Sequence, residues 1–245
     1  AGGGLPSTLL ARETRGTPRG MSERDSARPA AFAAALRAGG LVFDGAMGTS
    51  LYEKGNLYTA CFEEMNVSRP DVVLQIHQSY VEAGAEAIET NTFGANRYRL
   101  ARHGFESKVR AINLAGVQLA REAAGKRAFV VGSVGPTGLT LETLSPDSLA
   151  DIAEAFREQC LALVEAGVDA FILETFRQPD ELKLALEAAR SAGDGKVPVI
   201  ACVSFDEGGT TADGSAPEHV AELLAEWRAD AVGVNCATGP AGVYE

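Results

Sequence analysis

The chain has 245 residues, 46% hydrophobic and 22% charged, an ordinary globular composition with length for one large domain or two small ones. Its 22 basic and 33 acidic residues leave a net charge of −11 and no Lys/Arg run, which argues against nucleic-acid and membrane partners. No apolar run approaches the roughly 18 residues that span a bilayer, and the N-terminus lacks a signal peptide's continuous apolar core. The four cysteines (Cys61, Cys160, Cys202 and Cys236) show no CxxC spacing. They fit reduced thiols in a cytoplasmic protein better than a disulfide scaffold.

Residues 1–28 are rich in Gly, Pro, Ser, Thr and Arg without any period, so they are expected to be a disordered leader or tail. From residue 29 one pattern repeats: an apolar run of strand length, a polar loop, then an amphipathic helix. Strands are expected at 41–43, 87–90, 128–134, 170–173, 197–204 and 231–234. Helices are expected to start at Ser68-Arg69-Pro70-Asp71 as a capping-box-like motif, and at Pro146, Pro179 and Pro217, each Pro followed by an acidic residue. Strands that are apolar throughout and alternate with helices imply a parallel sheet buried on both faces, either a barrel or a doubly wound sheet.

An internal repeat favours the barrel. Residues 82–93 read EAGAEAIETNTF and residues 165–176 read EAGVDAFILETF, and 229–236 (ADAVGVNC) follows the same register. Aligned in this way, Asp44, Asn91, Glu174 and Asn235 each end a parallel strand. Catalytic groups of a (β/α)8 barrel come from that rim. Six strands are visible where such a barrel has eight, so the domain at 29–245 is expected to be a barrel incomplete at its C-terminus.

Other chemistry finds less support. No P-loop is present and no GxGxxG follows a strand. No Lys ends a strand, which disfavours a Schiff-base aldolase. His77, His103 and His219 fall on helices or a helix-side loop, away from the rim. The glycine-rich stretch at 132–138 reads either as a cradle for an anion or as a plain turn. Cys160 and Cys202 read as core residues. Cys236 follows a strand end beside Asn235, and on its chemistry alone it is open between metal ligand and packing. A nucleophile is disfavoured because no His maps to the rim.

Six motifs then act together: DGAMGT at 44–49, ETNTFGAN at 89–96, GSVGPTG at 132–138, ETF at 174–176, TADG at 211–214 and GVNC at 233–236. In order and spacing they resemble the homocysteine S-methyltransferase family. The stretch 88–104 is similar to the homocysteine-binding modules of cobalamin-dependent methionine synthases and of bifunctional methyltransferase/methylenetetrahydrofolate reductases. The resemblance implies a (β/α)8 barrel in which Zn²⁺ is held by three cysteines. Cys236 would be the first ligand and the catalytic thiol-activating group, with a Cys-Cys pair falling beyond residue 245. Asp44, Gly45 and Glu174 would hold the amino and carboxylate groups of homocysteine, and Thr90, Asn91, Thr92 and Asn235 would line the same pocket. The implied reaction is attack of a zinc-bound homocysteine thiolate on a methyl donor, giving methionine. The resemblance leaves the donor open: methylcobalamin or methyltetrahydrofolate carried by a domain outside this chain, or a small sulfonium such as S-methylmethionine. The alternative is a catalytically incomplete fragment or subunit that needs a further segment or chain.

Overall fold

The computed structural model describes residues 27–57, 59–141, 144–236 and 239. Residues 1–26 of the expected leader lie outside the described residues. Its last two residues, Ala27 and Arg28, are described and open helix α1 (Ala27–Ala38).

Five strands form one parallel sheet in sequential order: β1 (Ala87–Glu89), β2 (Phe129–Val134), β3 (Ala170–Phe176), β4 (Val199–Val203) and β5 (Ala231–Val234). The expected first strand at 41–43 reduces to a single parallel bridge from Phe43 to Ala87, so it extends the sheet by one register position without forming a strand. Sequential parallel order with a helix between strands is the arrangement of a barrel wall.

Helices cover the outer face: α4 (Pro70–Glu82), α6 (Val109–Ala124), α7 (Pro146–Ala166), α8 (Pro179–Ala192) and α9 (Pro217–Glu226). The starts at Pro146, Pro179 and Pro217 are observed, and Ser145 caps α7 by accepting the Ser148 N–H at 3.2 Å. The expected capping box at Ser68 does not form. Ser68 ends the short α3 (Met65–Ser68) with its hydroxyl on the Glu64 carbonyl, and Arg69 takes the cap position of α4 without a side-chain bond to the helix. Shorter helices α2 (Met47–Glu53) and α5 (Arg97–Ala101) sit in the loops after Asp44 and after β1.

Strand alternation divides the core. Ile88, Val130, Val134, Phe171, Leu173, Val199, Ala201 and Val203 pack outward against the helices. Ala87, Val131, Ala170, Ile172, Ile200 and Cys202 face inward with Phe32 of α1. Phe32 meets Phe129 edge-on at 5.3 Å between ring centres and is fully buried. Thus α1 plugs the end of the sheet where the strands begin. Arg28 fixes the plug through Asp169, a buried carboxylate that also takes two bonds from Arg121 and one from the Val130 N–H.

The inward parity continues to the other end and changes character there. Glu89 lies two residues after Ala87, Ser133 two after Val131, Glu174 two after Ile172 and Ser204 two after Cys202. Asn235 continues the parity of Ala231. An apolar inner layer is therefore topped by a polar one at the C-terminal strand ends.

Candidate functional site at the strand exits

Three carboxyl groups converge in that polar layer. Asp44 follows the Phe43 bridge, and both its oxygens accept the Glu89 backbone N–H, at 3.1 and 3.2 Å. Gly45 comes next because the ring of Tyr80 lies against it: a Cβ there would stand 2.9 Å from the Tyr80 hydroxyl. The Glu89 and Glu174 carboxyls neighbour each other and interact electrostatically. The Ser133 hydroxyl donates to Glu174 Oε1, and Asn235 Nδ2 lies 3.4 Å from Oε2.

Burial sets the charge state of this group. It pushes Asp44 up to about 7, against the stabilising Glu89 N–H. Glu89 is pushed to about 9, first by burial and then by the charges of Glu174 and Asp44. Glu174 is also raised by burial, with the bond from Ser133 and the neighbouring Glu89 opposing the shift.

A backbone irregularity aims Glu174. Leu173 pairs with Ala201 and Phe176 with Val203, so three steps along β3 match two along β4. This is a β-bulge, a device that re-aims a side chain. Its extra residue, Thr175, has φ 63°, a left-handed conformation rare for a β-branched residue. The Asn235 side chain holds it there, Oδ1 accepting the Thr175 N–H at 2.9 Å and Nδ2 donating to Thr175 Oγ1 at 2.9 Å. Cys236 is exposed at the same rim, also left-handed at φ 59°. Its sulfur lies 3.6 Å from Thr175 Oγ1 and 3.5 Å from Asn235 Nδ2.

The structure brings Asp44, Gly45, Glu174, Asn235 and Cys236 to one rim. The other expected residues serve the wall behind it. β1 ends at Glu89 and the chain bends at Thr90–Thr92, where the Thr92 N–H bonds back to the Thr90 carbonyl. Asn91 thereby leaves the strand alternation. It is buried, donating to the Phe62 carbonyl and to Asn66 Oδ1. The Thr90 and Thr92 hydroxyls bond each other at 2.6 Å and grip the Ser133 backbone. The side chain that meets Glu174 is that of Glu89, two residues before the aligned Asn91. Strand parity, counted from Ala87, carries that signal.

The glycine-rich loop is a turn and not an anion cradle. Gly135 lets the Phe93 ring pass, since a Cβ would lie 2.3 Å from it, and the Thr137 N–H is taken by the buried Glu181 carboxylate. A cleft of about 340 Å³ borders Thr175, with Arg177 and Glu181 in its wall. Both are already partnered, with Asp206 and Thr137. Among the described residues no group of three His, Cys, Asp or Glu is placed to hold a metal ion, and no helix is long and apolar enough to cross a membrane.

A parallel α/β wall with acids and a thiol at its strand exits defines a barrel-type enzyme rim. The chain belongs to the homocysteine S-methyltransferase family, whose family model matches residues 41–245. It is 36% identical over 221 residues to a methionine synthase of Mycobacterium tuberculosis, and 34% identical over 220 residues to one of Mycobacterium leprae. Each match covers 84% of this chain but only 18% of the relative, so the chain spans about a fifth of the length of these relatives. Among solved structures it resembles the homocysteine methyltransferase MmuM of Escherichia coli. The metallated form aligns with TM-score 0.69 at 25% identity over 83% of this chain and 77% of that one. The apo form gives 0.66 at 25% identity, over 84% and 76%.

Proposed function

We propose that the chain is the homocysteine-binding module of a methyltransferase that makes methionine. The observation that carries this reading is the short bridge from acids to thiol: Asn235 touches both Glu174 and Cys236. An α-amino acid held by its ammonium among the carboxylates would lay its side chain toward the sulfur of Cys236. Asp44 and Glu174 bind the ammonium and the exposed backbone at Gly45 meets the carboxylate, so the substrate thiol is presented in one orientation.

Zinc is tested on the residues present. Cys236 has the donor chemistry of a zinc ligand, and Thr175 and Asn235 are placed to donate hydrogen bonds to a thiolate there. A catalytic zinc site takes three protein donors and one open position, and the described residues supply one. The remaining donors are assigned outside them, as is the domain that would carry methylcobalamin or methyltetrahydrofolate. When bound, zinc would lower the pKa of a coordinated thiol so that the nucleophilic thiolate forms near neutral pH.

Metal analysis and methyl transfer on the purified protein test the assignment. One zinc per chain, lost in Cys236→Ala together with methionine formation, is the expected result. Zinc retained at full occupancy by Cys236→Ala would rule out the ligand role. The shortage of donors favours one second reading, a module inactive until another segment or chain completes it. On that reading these 245 residues alone bind zinc weakly and transfer no methyl group, and full activity from them would refute it.

A further inference from the structure

Three acids stand at the rim, and one buried hydroxyl distinguishes among them. Ser133 faces inward near the end of β2, the strand between Glu89 on β1 and Glu174 on β3. It is 1% exposed, so its hydroxyl has to find a partner within the protein. A hydroxyl has one proton to donate. Ser133 gives it to Glu174 Oε1 on β3 rather than to Glu89 on β1.

Ser133 is held in place to do so. The bend after β1 grips its backbone from both sides. The Ser133 N–H donates to Thr90 Oγ1 at 3.0 Å, and the Ser133 carbonyl accepts from Thr92 Oγ1 at 2.7 Å. The two threonine hydroxyls meet at 2.6 Å. Thr92 spends its proton on the carbonyl, so Thr90 is the donor of that pair. Both threonines are buried, and their hydroxyls serve Ser133 and each other.

The two oxygens of the half-buried Glu174 are therefore held unequally. Oε1 takes the Ser133 proton. Oε2 meets Asn235 Nδ2 at 3.4 Å, a long contact with an amide that already donates to Thr175 Oγ1 at 2.9 Å. Oε1 is the anchored oxygen, and Oε2 keeps capacity for a ligand.

We infer that Ser133 is a positioning residue for amine recognition: by anchoring Glu174 Oε1 it presents Oε2 to the ligand and makes Glu174, among the three rim acids, the one set to receive a free α-ammonium. This rests on the amine-holding reading above and adds the residue that enforces it. A Glu side chain loses much rotamer freedom when it is fixed, and a hydroxyl bonded to a carboxylate is among the stronger tethers for it. The same bond opposes the rise that burial imposes on the Glu174 carboxyl, which favours the charged form an ammonium needs. Asp44 is placed by other means, with both oxygens on the Glu89 backbone N–H. Loss of the Ser133 hydroxyl thus leaves Asp44 and the Gly45 backbone where they are, and its effect is confined to the ammonium. A ligand acylated at nitrogen carries no such charge and gains nothing from Ser133.

Titration calorimetry of the purified full chain with L-methionine and with N-acetyl-L-methionine at pH 7.5 tests this through the ratio of the two dissociation constants. Methionine is the probe because its thioether, unlike a thiol, forms no thiolate that a metal would take. The wild type should favour methionine at least tenfold. Ser133→Ala should bind methionine about tenfold more weakly, the change that one lost hydrogen bond to a charged group carries, and N-acetyl-L-methionine within about twofold of the wild type. Ser133→Thr keeps the hydroxyl and should restore the preference. An unchanged ratio in Ser133→Ala, whether both ligands are weakened or neither is, overturns the inference and leaves the amine site standing, because a merely structural defect gives that result. A wild type that binds both ligands equally, or neither, overturns the amine-holding reading and the inference with it. Should Ser133→Ala not fold, Ser133→Cys takes its place, since a thiol is a weaker donor. Its preference for methionine should fall severalfold, and a full wild-type preference refutes the role.

Discussion

Thr175 has the least comfortable backbone at the rim. A β-branched residue at φ 63° costs on the order of 1–3 kcal/mol, and three bonds to Asn235 and Cys236 hold it there. Relief of that strain should separate stability from function. Thr175→Gly is expected to unfold within about 1 kcal/mol of the wild type, since Gly accepts this conformation but adds unfolded-state entropy. It should nevertheless lower methionine formation about tenfold or more, while Thr175→Ser keeps the hydroxyl and most of the activity. Denaturant melts beside initial rates check both, and a fully active Thr175→Gly would mean that the hydroxyl does nothing for Cys236. His77 on α4 makes a different prediction. It is fully buried, neither ring nitrogen has a hydrogen-bond partner, and burial pushes its pKa down to about 4. An unfolded His takes up its proton near 6.5 and the folded one does not until about 4. The contribution of His77 to stability therefore falls as pH drops through that window and is flat outside it, by about 3 kcal/mol in all. Urea unfolding of His77→Leu at pH 5 and pH 7 should show a smaller loss on acidification than the wild type, and equal losses would show that His77 is not the titrating group.

At the scale of elements, the helices starting at Pro146, Pro179 and Pro217 and the parallel strands were legible because each carries a local signal: a Pro start, an apolar stripe, or a run buried on both faces. Helix α1 was not fully legible. Its alanine-rich stretch offers no clear stripe, and its role depends on Phe32 and Arg28 meeting residues far along the chain. The rim was half legible for a related reason. Gapless alignment of two strand ends equated Asn91 with Glu174, but β1 stops at Glu89 while β3 continues through a bulge, and only pairing reveals that difference. The plug can be tested at Asp169. Its carboxyl is opposed by burial but held below the usual carboxylate range by Arg28, Arg121 and the Val130 N–H. Asp169→Ala leaves the buried Val130 N–H without its acceptor and Arg28 and Arg121 without their carboxylate, and should cost about 2–3 kcal/mol. Arg28→Ala should cost only about 1 kcal/mol, because Arg28 is 41% exposed and Arg121 still pairs. Chemical denaturation of the two variants checks the ranking, and equal losses would mean that α1, not Arg121, supplies the main partner of Asp169.

The whole molecule presents an open wall. Val232 and Val234 on β5 are 55% and 42% exposed, and Val42 beside the Phe43 bridge is 61% exposed. Among the described residues β5 pairs only with β4, and the one β-bridge of the 41–43 stretch is to Ala87 of β1. In a barrel wall these two margins are the ones that closure would bring under cover. Unpaired parallel edges with apolar side chains are templates for association. The net charge of −11 opposes contact between copies over a range set by ionic strength, roughly 10 Å at 0.1 M salt. The two effects compete, and salt decides between them. Prepared as these 245 residues, the protein should sediment mostly as a monomer at low ionic strength and associate as salt rises and screens the repulsion. Val232→Lys with Val234→Lys should hold it monomeric at high salt, even though the two lysines bring the net charge closer to zero. If general charge repulsion governed solubility, that double variant would associate more readily than the wild type, so sedimentation velocity of the two proteins across a salt series separates an edge-driven contact from a colloidal one.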